Sequence, residues 1–110
     1  MKVDQKGHTS IIKDTLGNFS SFVEKIHNNY NTFKNQNLII IVSKKSNITP
    51  ADLKKIKDLA TQHKKVKKSL VFVIEDIDYN TISKSLTVVP TILEAHDIIE
   101  MEEIERDLGF

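Results

Sequence analysis

The sequence predicts an α/β domain in which a mixed β-sheet is packed with α-helices, and three observations predict it. Two short continuous apolar runs, Leu38-Ile39-Ile40-Ile41-Val42 and Leu70-Val71-Phe72-Val73-Ile74, have the β-branched composition of strands buried on both faces. Around them, apolar residues recur at three- and four-residue spacings, the period of amphipathic helices. A length of 110 residues, with 39% hydrophobic and 28% charged, suits one core, so residues 1–110 are expected to form a single domain.

At the start, residues 3–6 alternate apolar with polar, Gly7-His8 supplies a two-residue turn, and residues 9–13 carry Ile11 and Ile12, which together predict a β-hairpin. Phe19, Phe22, Val23, Ile26, Tyr30 and Phe33 then fall on one face of a helix capped near Asn18 or Ser20, and that stripe reads as core. The run at 38–42 follows as a central strand. Thr49-Pro50-Ala51-Asp52 reads as an N-cap, a proline at the first helical position and an acid in the first turn, opening a helix that buries Leu53, Ile56, Leu59 and Ala60.

The strand at 70–74 is introduced by His63-Lys64-Lys65-Val66-Lys67-Lys68 and followed by the acidic loop Glu75-Asp76-Ile77-Asp78. Residues 80–85 are expected to hold a short helical turn and residues 86–89 a third short strand ended by Pro90. Thr91-Ile92-Leu93-Glu94 matches the S/T-x-x-E capping box of a last helix. Its buried stripe is ambiguous: Ile92 and Ala95, then Ile98 or Ile99, Met101 or Glu102, Ile104 or Glu105, and Leu108, with Gly109 as the stop. Strands alternating with helices need crossovers, so the later strands should be parallel, with the hairpin adding an antiparallel pair.

The absence of cysteine removes disulfides and thiolate chemistry and favours a reducing compartment. The opening residues 1–7 lack the apolar stretch of a signal peptide, and no apolar run approaches the ~20 residues of a membrane span, so the expectation is a cytoplasmic protein with no membrane association. The net charge of +1 conceals an asymmetry. Residues 44–68 hold nine lysines against two aspartates, a balance of +7, whereas residues 94–107 hold seven acids against Arg106, a balance of −6. Opposed lobes of this kind either steer partners or are ordinary solvated faces.

Catalytic constellations are missing from the sequence. Three glycines, at 7, 17 and 109, leave no G-x-S-x-G, no phosphate-cradling G-x-x-x-x-G-K-[ST] and no G-x-G-x-x-G. His96 and Glu100 lie four residues apart beside Asp97, but two ligands without a third are a weak metal signal. Glu75, Asp76 and Asp78 after a strand read as solvated carboxylates, at most weak Mg²⁺ ligands. The expectation is therefore no enzyme, no catalytic residues, no metal and no cofactor.

The succession of elements resembles the STAS domain, the fold of the anti-sigma-factor antagonists, over nearly the whole chain. The landmarks are Asn37-Leu38-Ile39-Ile40-Ile41-Val42-Ser43, the helix start Ile48-Thr49-Pro50-Ala51-Asp52-Leu53, and Val88-Val89-Pro90-Thr91 running into Glu94-Ala95. The ending from Val88 onward looks like that of small bacterial STAS-like proteins that often carry the name ribonuclease Z. Ribonuclease Z itself is a larger metallo-β-lactamase-fold enzyme with a H-x-H-x-D-H zinc motif, and His8, His27, His63 and His96 are nowhere clustered that way.

The resemblance implies a protein-binding, regulatory module. In regulatory STAS domains a serine at the helix start is phosphorylated by a partner kinase; here that position falls on Pro50 or Ala51, which have no hydroxyl. Partner switching by phosphorylation is thereby put in doubt, although Ser46 and Thr49 are nearby hydroxyls. The expected contact surface is the loop and helix start that include Ser43, Ser46, Thr49, Ala51 and Asp52, with the acidic last helix as a second candidate. The alternative is RNA association through Lys64, Lys65, Lys67 and Lys68, which no aromatic interleaves and no arginine joins in that stretch. Those lysines also suit a gatekeeping role beside the apolar strand that follows them. A protein partner is expected to meet a monomer or weak homodimer, to which the terminal Phe110 adds an aromatic that docks on the core or on a second copy.

Overall fold

The computed structural model describes residues 1–15, 17–43, 49–74 and 86–109. Leu16, the acidic loop 75–78, the segment 80–85, Ser46 and Phe110 lie outside them, as do the side chains of Pro50 and Leu53. The described residues form a five-stranded mixed sheet with helices on both faces, the α/β architecture expected. The strands are β1 (Lys2–Lys6), β2 (Thr9–Lys13), β3 (Asn37–Ile41), β4 (Leu70–Val73) and β5 (Val88–Val89), and they lie in chain order across the sheet. β1 and β2 form the antiparallel hairpin, with Lys6 opposite Thr9, and β2 through β5 run parallel. Gly7 takes φ +58 at the first central position of the turn, a conformation that costs glycine nothing.

Helices α1 (Phe19–Asn28), α2 (Tyr30–Phe33) and α3 (Pro50–Lys65) cover one face, and α4 (Ile92–Asp107) covers the other. Strand alternation divides the core accordingly. Ile12, Leu38, Ile40 and Phe72 pack with Phe19, Phe22, Ile26, Ile56 and Leu59. Ile11, Ile39, Val71 and Val73 pack with Ala95 and Ile99. β3 is the middle strand, and its apolar run is buried because both faces are covered.

The stripe from Phe19 to Phe33 is buried as expected, but the single helix is divided at Asn29. The Asn29 side-chain amide donates to the Lys25 carbonyl at 2.7 Å, and such a local bond competes with helix continuation. Asn18, not Ser20, caps α1, its Oδ1 accepting from the Ser21 N–H at 3.1 Å. The third short strand is confined to Val88 and Val89. The full capping box lies in α3: Asp52 N–H donates to Thr49 Oγ1 and Thr49 N–H donates to Asp52 Oδ2, each at 3.2 Å. At α4 Thr91 Oγ1 accepts from the Glu94 N–H at 3.2 Å, and Glu94 itself is exposed. No helix among the described residues is long and apolar enough to cross a membrane.

Candidate functional site

Two surfaces carry chemistry, a basic cleft and the outer face of α4, and one buried polar network holds both in place. The network lies at the leading ends of β3 and β4, where Asn37 and Ser69 are buried. Asn37 Oδ1 accepts from the Ser69 N–H at 2.9 Å and from Arg106 Nη2 at 3.4 Å, while Asn37 Nδ2 donates to Glu103 Oε1 at 2.5 Å. Ser69 Oγ donates to Glu102 Oε1 at 2.9 Å and accepts from Arg106 Nη1 at 3.0 Å. The second half of α4 is therefore seated on the sheet by polar contacts, whereas its first half is seated by Ala95 and Ile99. Charge-assisted bonds of this kind are roughly twice as strong as neutral ones, and losing one partner leaves the others buried and unpaired.

A second buried chain of bonds lies on the opposite side of the same strand ends. His63 has no exposed surface; its Nε2 meets the Gln36 carbonyl and its Nδ1 meets the Tyr30 hydroxyl, both at 2.7 Å. A carbonyl only accepts, so the proton sits on Nε2 and Nδ1 accepts from Tyr30. Burial first, and then the positive charges of Lys68 and Arg106, hold His63 below its ordinary pKa against the opposing bond to Gln36. Burial alone raises the Tyr30 hydroxyl. Ser10 Oγ donates to Gln36 Oε1 and extends the chain to β2. This histidine is a neutral structural bridge between α3, α2 and the strand ends, a role visible only once residues 30, 36 and 63 are brought together.

The cleft, of about 600 Å³, opens beside β4. Lys64 from the end of α3, Lys67 and Lys68 from the connection that follows, and Arg106 from α4 line it above Leu70, Phe72 and Leu86. Lys65 does not line it. The fold thus divides the four-lysine run and supplies the arginine that the local sequence lacks. No family model matches the chain, and no curated protein matches it.

The residues expected at the α3 start are distributed unevenly. Thr49 and Ala51 are exposed and Ser43 is half-buried, but Asp52 is buried with both oxygens engaged by its own chain. Besides the capping bond, Ser20 Oγ donates to Asp52 Oδ1 at 2.8 Å and Oδ2 at 3.0 Å, joining the starts of α1 and α3. Burial pushes the Asp52 carboxyl up, but bonds from Ser20 and Thr49 and the charge of Lys55 together hold it below its ordinary value. Thr49 fills its N-cap role. Among the described residues no three His, Cys, Asp or Glu side chains gather as a metal site.

The outer face of α4 departs from expectation. Of the alternatives for its buried stripe, Ala95, Ile99 and the half-buried Glu102 face the sheet. Met101, Ile104 and Leu108 face outward, 61%, 53% and 67% exposed, together with Leu93 at 73%. At 100° per residue these four fall within one quadrant of the helix. Exposed Glu94, Glu100, Glu105 and Asp107 edge the stripe and Asp97 lies within it, while the one arginine of the helix is turned inward.

Proposed function

We propose that the chain is a non-catalytic protein-binding module of STAS-like organisation, regulatory in setting and without the usual phosphoacceptor serine, and that it meets its partner through the outer face of α4. An antiparallel hairpin leading into parallel strands supports the organisation, as do a helix opened by Thr49 and Pro50 and a last helix opened by Thr91. The observation that carries the binding surface is the row Leu93, Met101, Ile104 and Leu108, four large apolar side chains in water on one helix face.

The acids around that row select the occupant. A second copy laid against it would bring carboxylates opposite carboxylates, whereas an amphipathic helix with lysine and arginine flanks complements both the apolar row and its charge. The partner is therefore a protein presenting a basic amphipathic helix. Two helical peptides of identical leucine spacing, one flanked by lysines and one by glutamates, test this by calorimetric titration. The lysine peptide should bind saturably and the glutamate peptide should not, and Met101→Lys or Ile104→Lys should weaken binding by about tenfold or more with the fold unchanged. Binding indifferent to those substitutions would reject this surface, and self-association in sedimentation that Ile104→Lys abolishes would reject this partner class in favour of a second copy.

A further inference from the structure

We infer that the cleft beside β4 is a binding site for a small organic anion, an acidic head group on an apolar body. The cleft exists because β5 is short. Its two residues pair with Phe72 and Val73, so among the described residues Leu70 and Val71 have no strand beside them on that side. The last turns of α3 and α4 wall the resulting notch. Its floor is apolar, made by Leu70, Phe72 and Leu86, and its volume of about 600 Å³ falls within the roughly 300–1,000 Å³ of small-molecule sites.

The rim selects charge. Lys64, Lys67, Lys68 and Arg106 stand against Glu102 and Glu105, four cations to two anions, and Glu102 is already held by the Ser69 hydroxyl. No hydrogen bond or ion pair engages the three lysine ammonium groups among the described residues. Arg106 is aimed by its bonds to Ser69 and Asn37, so one cation is fixed in place and three are free to close on a head group. A polymer backbone would require cations spread along a ridge; these converge on one concavity, and Lys65, the lysine that breaks the convergence, is outside it.

Lys67 adds a second observation. It occupies the left-handed position after α3 with φ +62, where its N–H donates to the Lys64 carbonyl at 3.0 Å and the Lys68 N–H reaches the His63 carbonyl at 3.4 Å. Glycine is the residue suited to that position, as Gly109 is after α4. A lysine there turns the chain and is one of the residues that line the cleft.

The probe is 8-anilinonaphthalene-1-sulfonate, an aromatic body with one anionic group whose fluorescence rises on leaving water. Saturable enhancement is expected, with competition by hexyl phosphate or hexanoate and none by hexyltrimethylammonium. The stronger competitor distinguishes a phosphate from a carboxylate ligand. Lys64→Gln combined with Lys68→Gln should weaken the probe by about tenfold or more, because each removes a charge-assisted contact. Lys65→Gln should leave it unchanged, with folding followed by circular dichroism in each case. The inference is overturned by a lack of saturable binding, or by enhancement that survives the lysine changes and disappears in Ile104→Lys, which would place the probe on α4. It is equally overturned if a uridine oligonucleotide binds more tightly than the short anions and weakens on Lys65→Gln, the behaviour of an extended nucleic-acid surface.

Discussion

Helices α3 and α4 have the same length and the same beginning, sixteen residues opened by a threonine cap with an acid three positions on, yet they are built to opposite ends. α3 buries Ile56 and Leu59 and puts lysines in water, the usual division of an amphipathic helix. α4 buries Ala95 and Ile99 in its first half, then turns Glu102, Glu103 and Arg106 toward the sheet and leaves Met101, Ile104 and Leu108 outside. A helix seated by polar contacts is free to spend its apolar residues elsewhere, and in this molecule they form the proposed contact surface.

The strongest way to break that comparison is to remove the polar seat. Asn37→Leu deletes the acceptor for the Ser69 N–H and Arg106 and the donor for Glu103, leaving buried groups unpaired, and should cost about 3–5 kcal/mol in denaturant unfolding. A cost near zero would mean that α4 is held by Ala95 and Ile99 alone. The next test compares the two faces of α4 directly. Ile99→Ala should destabilise by about 2–4 kcal/mol because it opens a cavity in the core, whereas Ile104→Ala should change stability by no more than about 0.5 kcal/mol. Equal costs would show Ile104 to be packed against something.

The helix starts provide a smaller contrast. Asp52→Ala removes the reciprocal cap and the tie to Ser20 and should cost about 2 kcal/mol, while Glu94→Ala, exposed at the matching position, should cost about 0.5 kcal/mol or less. The Asp52 contribution has a pH signature. Its folded pKa is lowered from 3.8, so the stabilisation is complete above that value and is lost as pH falls through and below it. Acid unfolding of Asp52→Asn should therefore lack part of the wild-type decline below about pH 4. Unchanged acid sensitivity would assign the decline to other carboxylates.

How much of this was legible in the sequence follows from how local each cause is. The two β-branched runs, the Gly7 turn and the Thr49 and Thr91 caps act over a few residues, and all appear where the pattern puts them. The inward face of α4 was ambiguous because the partners of Glu103, Glu102 and Arg106 are Asn37 and Ser69, from 33 to 69 residues away. Nothing near Glu102 in the chain distinguishes it from Glu105. Asp52 reads from the sequence as a first-turn acid on the expected contact surface, whereas its bonds to Thr49 and to Ser20, 32 residues earlier, hold its carboxylate inside. The cleft depended on a strand two residues shorter than its composition suggested and on an arginine from the other end of the chain. His63 heads a basic stretch of sequence, although the 3.6-residue period that makes Ile56 and Leu59 core also carries it inward.

The smallest effect separates the helix ends. Both helices stop at a left-handed residue, Gly109 after α4 and Lys67 after α3. A side chain in that conformation costs roughly 1–2 kcal/mol, so Lys67→Gly should stabilise the protein by about 1 kcal/mol and raise the melting temperature by about 4 °C. The same substitution removes a cation from the cleft and should weaken the sulfonate probe. Opposite movements of stability and binding would identify Lys67 as a residue held against its backbone preference by what its ammonium does. A gain in stability with unchanged probe binding would make it a plain turn residue and reduce the cleft to Lys64, Lys68 and Arg106, and no change in melting temperature would mean that the turn relaxes around lysine without cost.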